Sequence, residues 1–378
     1  MNIPKLRFKD NNGNDYPQWE KKLIKDILKI YHGKDYKNEP NEKKLYPVLG
    51  TGGIITYIDK FLCAWECVLI GRKGTINKPQ YMKTPFWSVD TLFYSKPKLK
   101  QNPKFQYYLF QNINWKIYDE STGVPSLSAS TIEHINRFIP TYAEQEKIAS
   151  FFSTIDKKIE NLTNTITSLE NQKKGLLQQI FSQKLRFKDK NGNNYPNWEK
   201  KKLGDITTSY SGGTPSVNVK DYYNGAIPFI KSGEIHNSFT ETFITETGLN
   251  SSSAKLVKKG DLLFALYGAT SGDTSISKIN GAINQAILCV RSTTLNLHYL
   301  YQLLNFYRNK LLSIYLQGGQ GNFSATIFKN LIFNFPCLEE QTKIADFLSA
   351  FDHKLDNQKA QLEHWQQIKK GLLQQMFV

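Results

Sequence analysis

The sequence predicts an α/β (α+β) protein: two globular domains separated by two long antiparallel coiled-coil helices in a pseudo-twofold repeat. Three observations carry this expectation. Two blocks of sequence each occur twice in the 378 residues, in the same order. One block holds an unbroken heptad pattern. The segments between blocks mix short β-branched or apolar runs with helical stretches and glycine-rich loops.

The first block runs from Lys5 to Ile27 and returns from Lys184 to Ile206, with 17 of 23 positions identical at an offset of 179. Each copy of this front cassette contains an Asn-Gly punctuator, then Tyr-Pro-x-Trp-Glu and an amphipathic stretch leading into a globular segment. The second copy follows directly on the first helical arm. The first copy is therefore expected where the second arm ends, near Phe377.

The second block runs from Pro140 to Phe181 and returns from Pro336 to Phe377, with 19 of 42 positions identical and Lys-Lys-Gly-Leu-Leu-Gln-Gln intact. Proline suits a helix start and not its interior. In the first arm Ile155, Ile159, Leu162, Ile166 and Leu169 step by four and three, which defines a coiled-coil seam. In the second, Phe351, Leu355, Leu362 and Trp365 keep the same frame. Lys173 and Lys369 fall on the seam late in each arm and are read as lysines that snorkel, with partner contact as the alternative. A kink at Asp156 or Asp352 is left open.

Between the blocks lie Leu28 to Ile139 and Thr207 to Phe335, which differ in length by 17 residues and do not align with each other. Both alternate runs such as Cys-Val-Leu-Ile-Gly or Asp-Leu-Leu-Phe-Ala with loops such as Gly-Thr-Gly-Gly and Ser-Gly-Gly-Thr. The domain limits expected are 1–139 and 184–335 for the globular parts with their cassettes, and 140–183 and 336–378 for the arms.

The composition, 40% hydrophobic and 13% aromatic, supports two or three cores and excludes general disorder. No run reaches the roughly 18 apolar residues of a membrane span. Met1 to Asp15 lacks the apolar core of a signal peptide, so a soluble, cytoplasmic protein is expected. Cys63, Cys67, Cys289 and Cys337 read as buried thiols, not as a disulfide or zinc framework.

The net charge of +16 is informative once divided. Residues 1–139 carry 22 basic and 13 acidic side chains, net +9, and residues 182–335 carry 17 and 9, net +8. The arms carry 0 and −1. The globular segments are thus suited to a polyanion and the arms are not, which points to double-stranded DNA. A straight helix over Ile148 to Ile180 rises roughly 50 Å at about 1.5 Å per residue, against about 34 to 36 Å for one DNA turn. Two unlike basic domains at the ends of such arms would read an asymmetric, bipartite target.

No catalytic centre is legible. There is no Pro-Pro dipeptide for an amino-methyltransferase signature, no phosphate loop, no His-Glu-x-x-His helix and no Pro-Asp opening of a nuclease motif. The six histidines do not cluster with carboxylates at metal-ligand spacing. Two other readings stay open: a free-standing methyltransferase or nuclease with a divergent motif, and a coiled-coil scaffold that binds no DNA.

The arm starts are paired, Glu144-Gln145-Glu146-Lys147-Ile148-Ala149 and Glu340-Gln341-Thr342-Lys343-Ile344-Ala345, and each arm ends in Lys-Lys-Gly-Leu-Leu-Gln-Gln. The second half carries Gly212-Gly213-Thr214-Pro215-Ser216, Gly260-Asp261-Leu262-Leu263 and Asn284-Gln285, and the first Pro47-Val48-Leu49-Gly50-Thr51-Gly52-Gly53. On these motifs the whole chain resembles the specificity subunit of type I restriction-modification systems. Thr141-Tyr142 and Cys337-Leu338 stand where the family often has a second proline.

The resemblance implies a non-catalytic, DNA-reading subunit that places two copies of a modification (methyltransferase) subunit, joined by restriction/translocase subunits. S-adenosylmethionine, ATP and Mg would then sit on those partners, with no cofactor or metal in this chain. For DNA contact, loop residues beside glycine with donor or bidentate capacity are the candidates: Lys34, Thr51, Arg72 and Lys73 in the first domain, Lys231, Glu234, Tyr267, Gln317, Gln320 and Asn322 in the second.

Overall fold

A computed structural model describes residues 4–315 and 322–377. The chain divides into two compact units, Met1–Asn164 with Lys359–Val378, and Thr165–Gln358. The arms are single uninterrupted helices, Tyr142–Phe181 and Leu338–Met376. No break splits either at Asp156 or Asp352. Each unit therefore takes the first part of one arm and the last part of the other.

In the first unit the two pieces run antiparallel: Phe152 lies 6.2 Å from Phe377, and one turn on, Asp156 meets Lys369 at 2.7 Å. The second unit repeats the arrangement, with Ile180 and Ile344 in one core and Lys173 paired with Asp352. This corrects the reading of the two lysines. Neither Lys173 nor Lys369 snorkels; each ammonium is drawn to a carboxylate on the facing helix, and the Asp also accepts from Gln302 or Tyr108 at 2.7 Å. Ile155, Leu162, Ile166, Leu169 and Leu355 are buried, while Ile159, Phe351, Leu362 and Trp365 are half-buried.

The front cassettes are clasps. In each, an aspartate carboxylate accepts two backbone amides at 2.8 Å, Asn12 and Asn14 on Asp10, Asn191 and Asn193 on Asp189. The turn closes on a glycine at φ +84, Gly13 or Gly192, a conformation that suits only glycine without strain. Arg7 then forks onto the fully buried Glu144 at 3.1 and 2.7 Å, and the Trp19 indole donates to the same carboxylate at 3.0 Å. Arg186 and Trp198 treat Glu340 identically, at 3.0, 2.7 and 3.1 Å. A buried carboxylate is tolerated only when paired and hydrogen-bonded in this way. The cassette strands Glu20–Leu23 and Glu199–Lys202 pair antiparallel with Asn136–Ile139 and Ile332–Phe335, the strands that feed the arms.

Leu6 N donates to Gln375 O at 3.1 Å, and Leu185 N to Gln179 O at 3.0 Å. These are one hydrogen bond made twice. In the second unit it joins consecutive segments; in the first it ties the N-terminal cassette to the end of the second arm, where the order of the repeats places it.

The globular segments, unalignable by sequence, share one topology. Each has a four-stranded antiparallel main sheet: Leu28–Tyr31, Leu92–Pro97, Cys67–Gly71 and Gln80–Met82 in spatial order, matched by Thr208–Ser211, Ile287–Arg291, Leu262–Ala265 and Thr274–Ile276. Each has a small sheet containing one parallel pair, Tyr46–Gly50 with Trp87–Ser88 and Tyr223–Ile230 with Gly281–Ile283. The helices Pro103–Gln111 and Leu297–Tyr315 share apolar cores with the arm starts, through Phe105 and Tyr108 with Phe152, and Leu300 and Leu304 with Ile344 and Leu348. Cys63, Cys67 and Cys289 are buried, Cys337 is half-buried, and all four are free thiols.

Candidate nucleic-acid interface

In each domain one short segment gathers the loops around it. In the first it is Ser88–Thr91: Lys34 N donates to Ser88 O at 2.8 Å, Val89 N to Leu49 O at 3.1 Å, and Arg72 N and Lys73 N to Thr91 O at 2.8 and 3.3 Å. Three loops carrying Lys34, Thr51, Arg72 and Lys73 are thus gathered on one rim. In the second domain the segment is Ile283–Ala286. Ile230 pairs with Ile283, and Leu266 N donates to Ala286 O at 2.8 Å.

The match extends to individual atoms. Leu127 N donates to Arg72 O at 2.9 Å, and Phe323 N to Leu266 O at 2.7 Å. Gly74 and Gly268 follow at φ +83 and +84. Gly33 and Gly212 pass directly beneath: a Cβ there would sit 2.4 Å from Ser88 O or 1.8 Å from Ile283 O, so glycine is the sole residue that fits. By this register Lys73 corresponds to Tyr267, Asp90 to Gln285, and Ser126 to Asn322.

The chemistry on the two rims differs. The first is ionic: Lys34, Lys73 and Asp90 are exposed, and Arg72, half-buried, donates to Asp90 O at 3.3 Å beside a depression lined by His32, Lys73, Glu120 and Ser130. In the second the corresponding positions around Gln285 are neutral. Thr214 Oγ1 donates to Gln285 Oε1 at 2.6 Å, Tyr267 is half-buried and Asn322 exposed. Burial raises the Tyr267 phenol pKa, and its hydrogen bond with Gln285 opposes that rise.

The remaining candidates sit around these rims. Thr51 lies in the Gly50–Gly53 hairpin turn, where its carbonyl accepts from Gln80 at 3.4 Å. Lys231 is exposed in the corresponding loop. Glu234 accepts from Lys231 N, Thr240 Oγ1 and Glu241 N at 3.0, 3.1 and 3.3 Å, so its carboxylate organises that loop. Gln317 and Gln320 lie outside the described residues. Sequence reasoning passed over His32 and Asp90, and used Thr214 and Gln285 only as parts of motifs; the ladder hydrogen bonds that bring them together are non-local.

A family model, the type I restriction modification DNA specificity domain, matches residues 16–171 and 195–364. The chain belongs to that family. It is a specificity subunit of the type I restriction-modification class with two such domains. Among curated relatives, the type I restriction enzyme MjaVIII specificity subunit of Methanocaldococcus jannaschii is 23% identical over 97% of this chain and 94% of its own length. The EcoR124I/EcoR124II specificity subunit of Escherichia coli is 26% identical over 57% and 55%. The fold is shared with the crystal structure of a type I system S subunit from M. genitalium, with a TM-score of 0.72 and 17% identity, covering 100% of this chain and 99% of that one. Among the described residues no cluster of His, Cys, Asp and Glu forms a metal site, and no helix is long and apolar enough to cross a membrane.

Proposed function

We propose that this specificity subunit binds an asymmetric bipartite sequence in double-stranded DNA, each domain reading one half-site through its rim. One observation carries the reading: a rim built on matching backbone hydrogen bonds, Arg72 N to Thr91 O with Leu266 N to Ala286 O and Leu127 N to Arg72 O with Phe323 N to Leu266 O, recurs in both domains with unlike side chains. The basic excess of the two globular segments supplies the phosphate attraction. Lys34, Thr51, Arg72 and Lys73 are the contacts proposed for one half-site, and Lys231, Glu234, Tyr267, Gln317, Gln320 and Asn322 for the other. The functional division follows 1–139 and 184–335 for recognition and 140–183 and 336–378 for the arms.

In this reading the chain is non-catalytic and acts in the cytoplasm. It holds two modification subunits on the DNA, and restriction/translocase subunits join them. S-adenosylmethionine, ATP and Mg are bound by those partners. Co-expression with the modification subunit of its own system in a methylation-free host, followed by methylation-sensitive sequencing, tests it: one split motif should appear, and the isolated chain should methylate nothing. Arg72→Ala should alter the first half-site or abolish binding. An unchanged motif would remove Arg72 from the interface.

A further inference from the structure

Each rim has, at the same position of its own domain, a site built to be rigid. Asp90 and Gln285 each stand two residues before the last strand of the main sheet, in a turn closed by Leu92 N to Val89 O at 3.0 Å or Ile287 N to Asn284 O at 3.3 Å. The turn cannot sink, because the backbone of Gly33 or Gly212 presses against its underside. Both side chains are exposed. We infer that this position determines specificity in both domains, Gln285 reading an adenine edge in one half-site and Asp90 a cytosine amino group in the other.

The Gln285 carboxamide is oriented before any ligand arrives. Thr214 donates to its Oε1 and its NH2 group bonds Tyr267, which fixes the amide plane and leaves one N–H and a second Oε1 lone pair on the same side chain. A donor beside an acceptor is the pattern that matches adenine N7 and N6 in the major groove. Asp90 offers acceptors only, which rules out phosphate as its ligand. DNA exposes two amino donors in the major groove, adenine N6 and cytosine N4; adenine N7 beside N6 repels a carboxylate, so the cytosine N4 amino group is the one Asp90 takes. Arg72, bonded to the Asp90 carbonyl, and Lys73 offset the repulsion between this carboxylate and the neighbouring phosphates.

This inference rests on the DNA-reading function proposed above, and one experiment separates the two. The full chain, carrying Gln285→Ala or Asp90→Ala, is co-expressed with its modification subunit, and methylated sites are sequenced beside the wild type. Gln285→Ala should relax one base of one half-site, with discrimination there falling about 5- to 100-fold, while the other half-site stays as in the wild type. Asp90→Ala should do the converse. The unaltered half-site reports in the same molecule that the variant is folded. An unchanged motif with either variant, or a uniform fall in methylation with the motif intact, overturns the inference. Absence of any split motif from the wild type would instead refute the proposed function.

Discussion

Arg7 and Arg186 grip Glu144 and Glu340 with the same atoms at the same distances, whereas Lys73 and Tyr267, matched as closely by backbone register, present opposite chemistries. The clasps and arms form a frame duplicated down to single hydrogen bonds. The rims stand on an equally duplicated scaffold but share almost no side chains. Constancy therefore tracks burial. Glu144 and Glu340 are fully buried, so a change at either strands two donors; Lys73 and Gln285 are exposed, so substitution there has little effect on folding.

The largest effect should come from breaking a clasp. Glu144→Ala leaves Arg7 and the Trp19 indole without their acceptor and should cost about 3 to 5 kcal/mol, the range for one partner lost from a buried pair. Glu340→Ala should cost the same within about 0.5 kcal/mol. Denaturant unfolding of the two variants measures both, and a clearly unequal pair would break the equivalence of the two frames.

A smaller effect tests the arms. Asp156→Ala removes the partner of Lys369 and an acceptor of Tyr108, and Asp352→Ala does so for Lys173 and Gln302; each should cost about 1 to 3 kcal/mol. Exchanging the charges, Lys369→Asp with Asp156→Lys, should recover part of the loss. Failure to recover any would show that the pair does not fix the register of the helices.

Much of the frame was legible because its signals are local or repeated. The heptads announced the arms, and the order of the duplicated blocks placed the N-terminal cassette beside Gln375. The Lys–Asp pairs were missed because a lysine on a seam carries no sign of a carboxylate 179 or 213 residues away. The shared topology of the globular segments was missed for a related reason. It is written in ladder hydrogen bonds such as Arg72 N to Thr91 O and Leu266 N to Ala286 O, which leave few side-chain identities behind. One trace of it in the sequence went unread: Gly33 and Gly212 sit 179 residues apart, the same offset as the front cassettes, and each is forced by a carbonyl that a Cβ would strike.

On the rims, DNA binding should respond unequally. Lys73→Ala removes a cation, so the slope of log K against log salt should fall by roughly 1, with the first half-site otherwise unchanged. Tyr267→Phe removes a hydroxyl and no charge, and its slope should equal that of the wild type. Equal slopes for all three proteins would remove Lys73 from the phosphate contacts.

The smallest effect distinguishes the two main sheets by acid. Asp261, immediately before the Leu262–Ala265 strand of the second, is pushed up by burial, but the Arg291 guanidinium at 2.8 and 2.6 Å and the Lys258 amide outweigh this and hold its pKa below the usual carboxylate range. By strand register Cys67 and Lys96 occupy the corresponding places in the first sheet. A carboxylate with a lowered folded pKa contributes stability above its unfolded value of about 4, and that contribution is lost as pH falls through the folded value. Hydrogen exchange of the second main sheet should therefore accelerate below about pH 4 relative to the first, and Asp261→Asn should erase the difference. A pH profile that Asp261→Asn leaves untouched would assign the acid sensitivity to other groups.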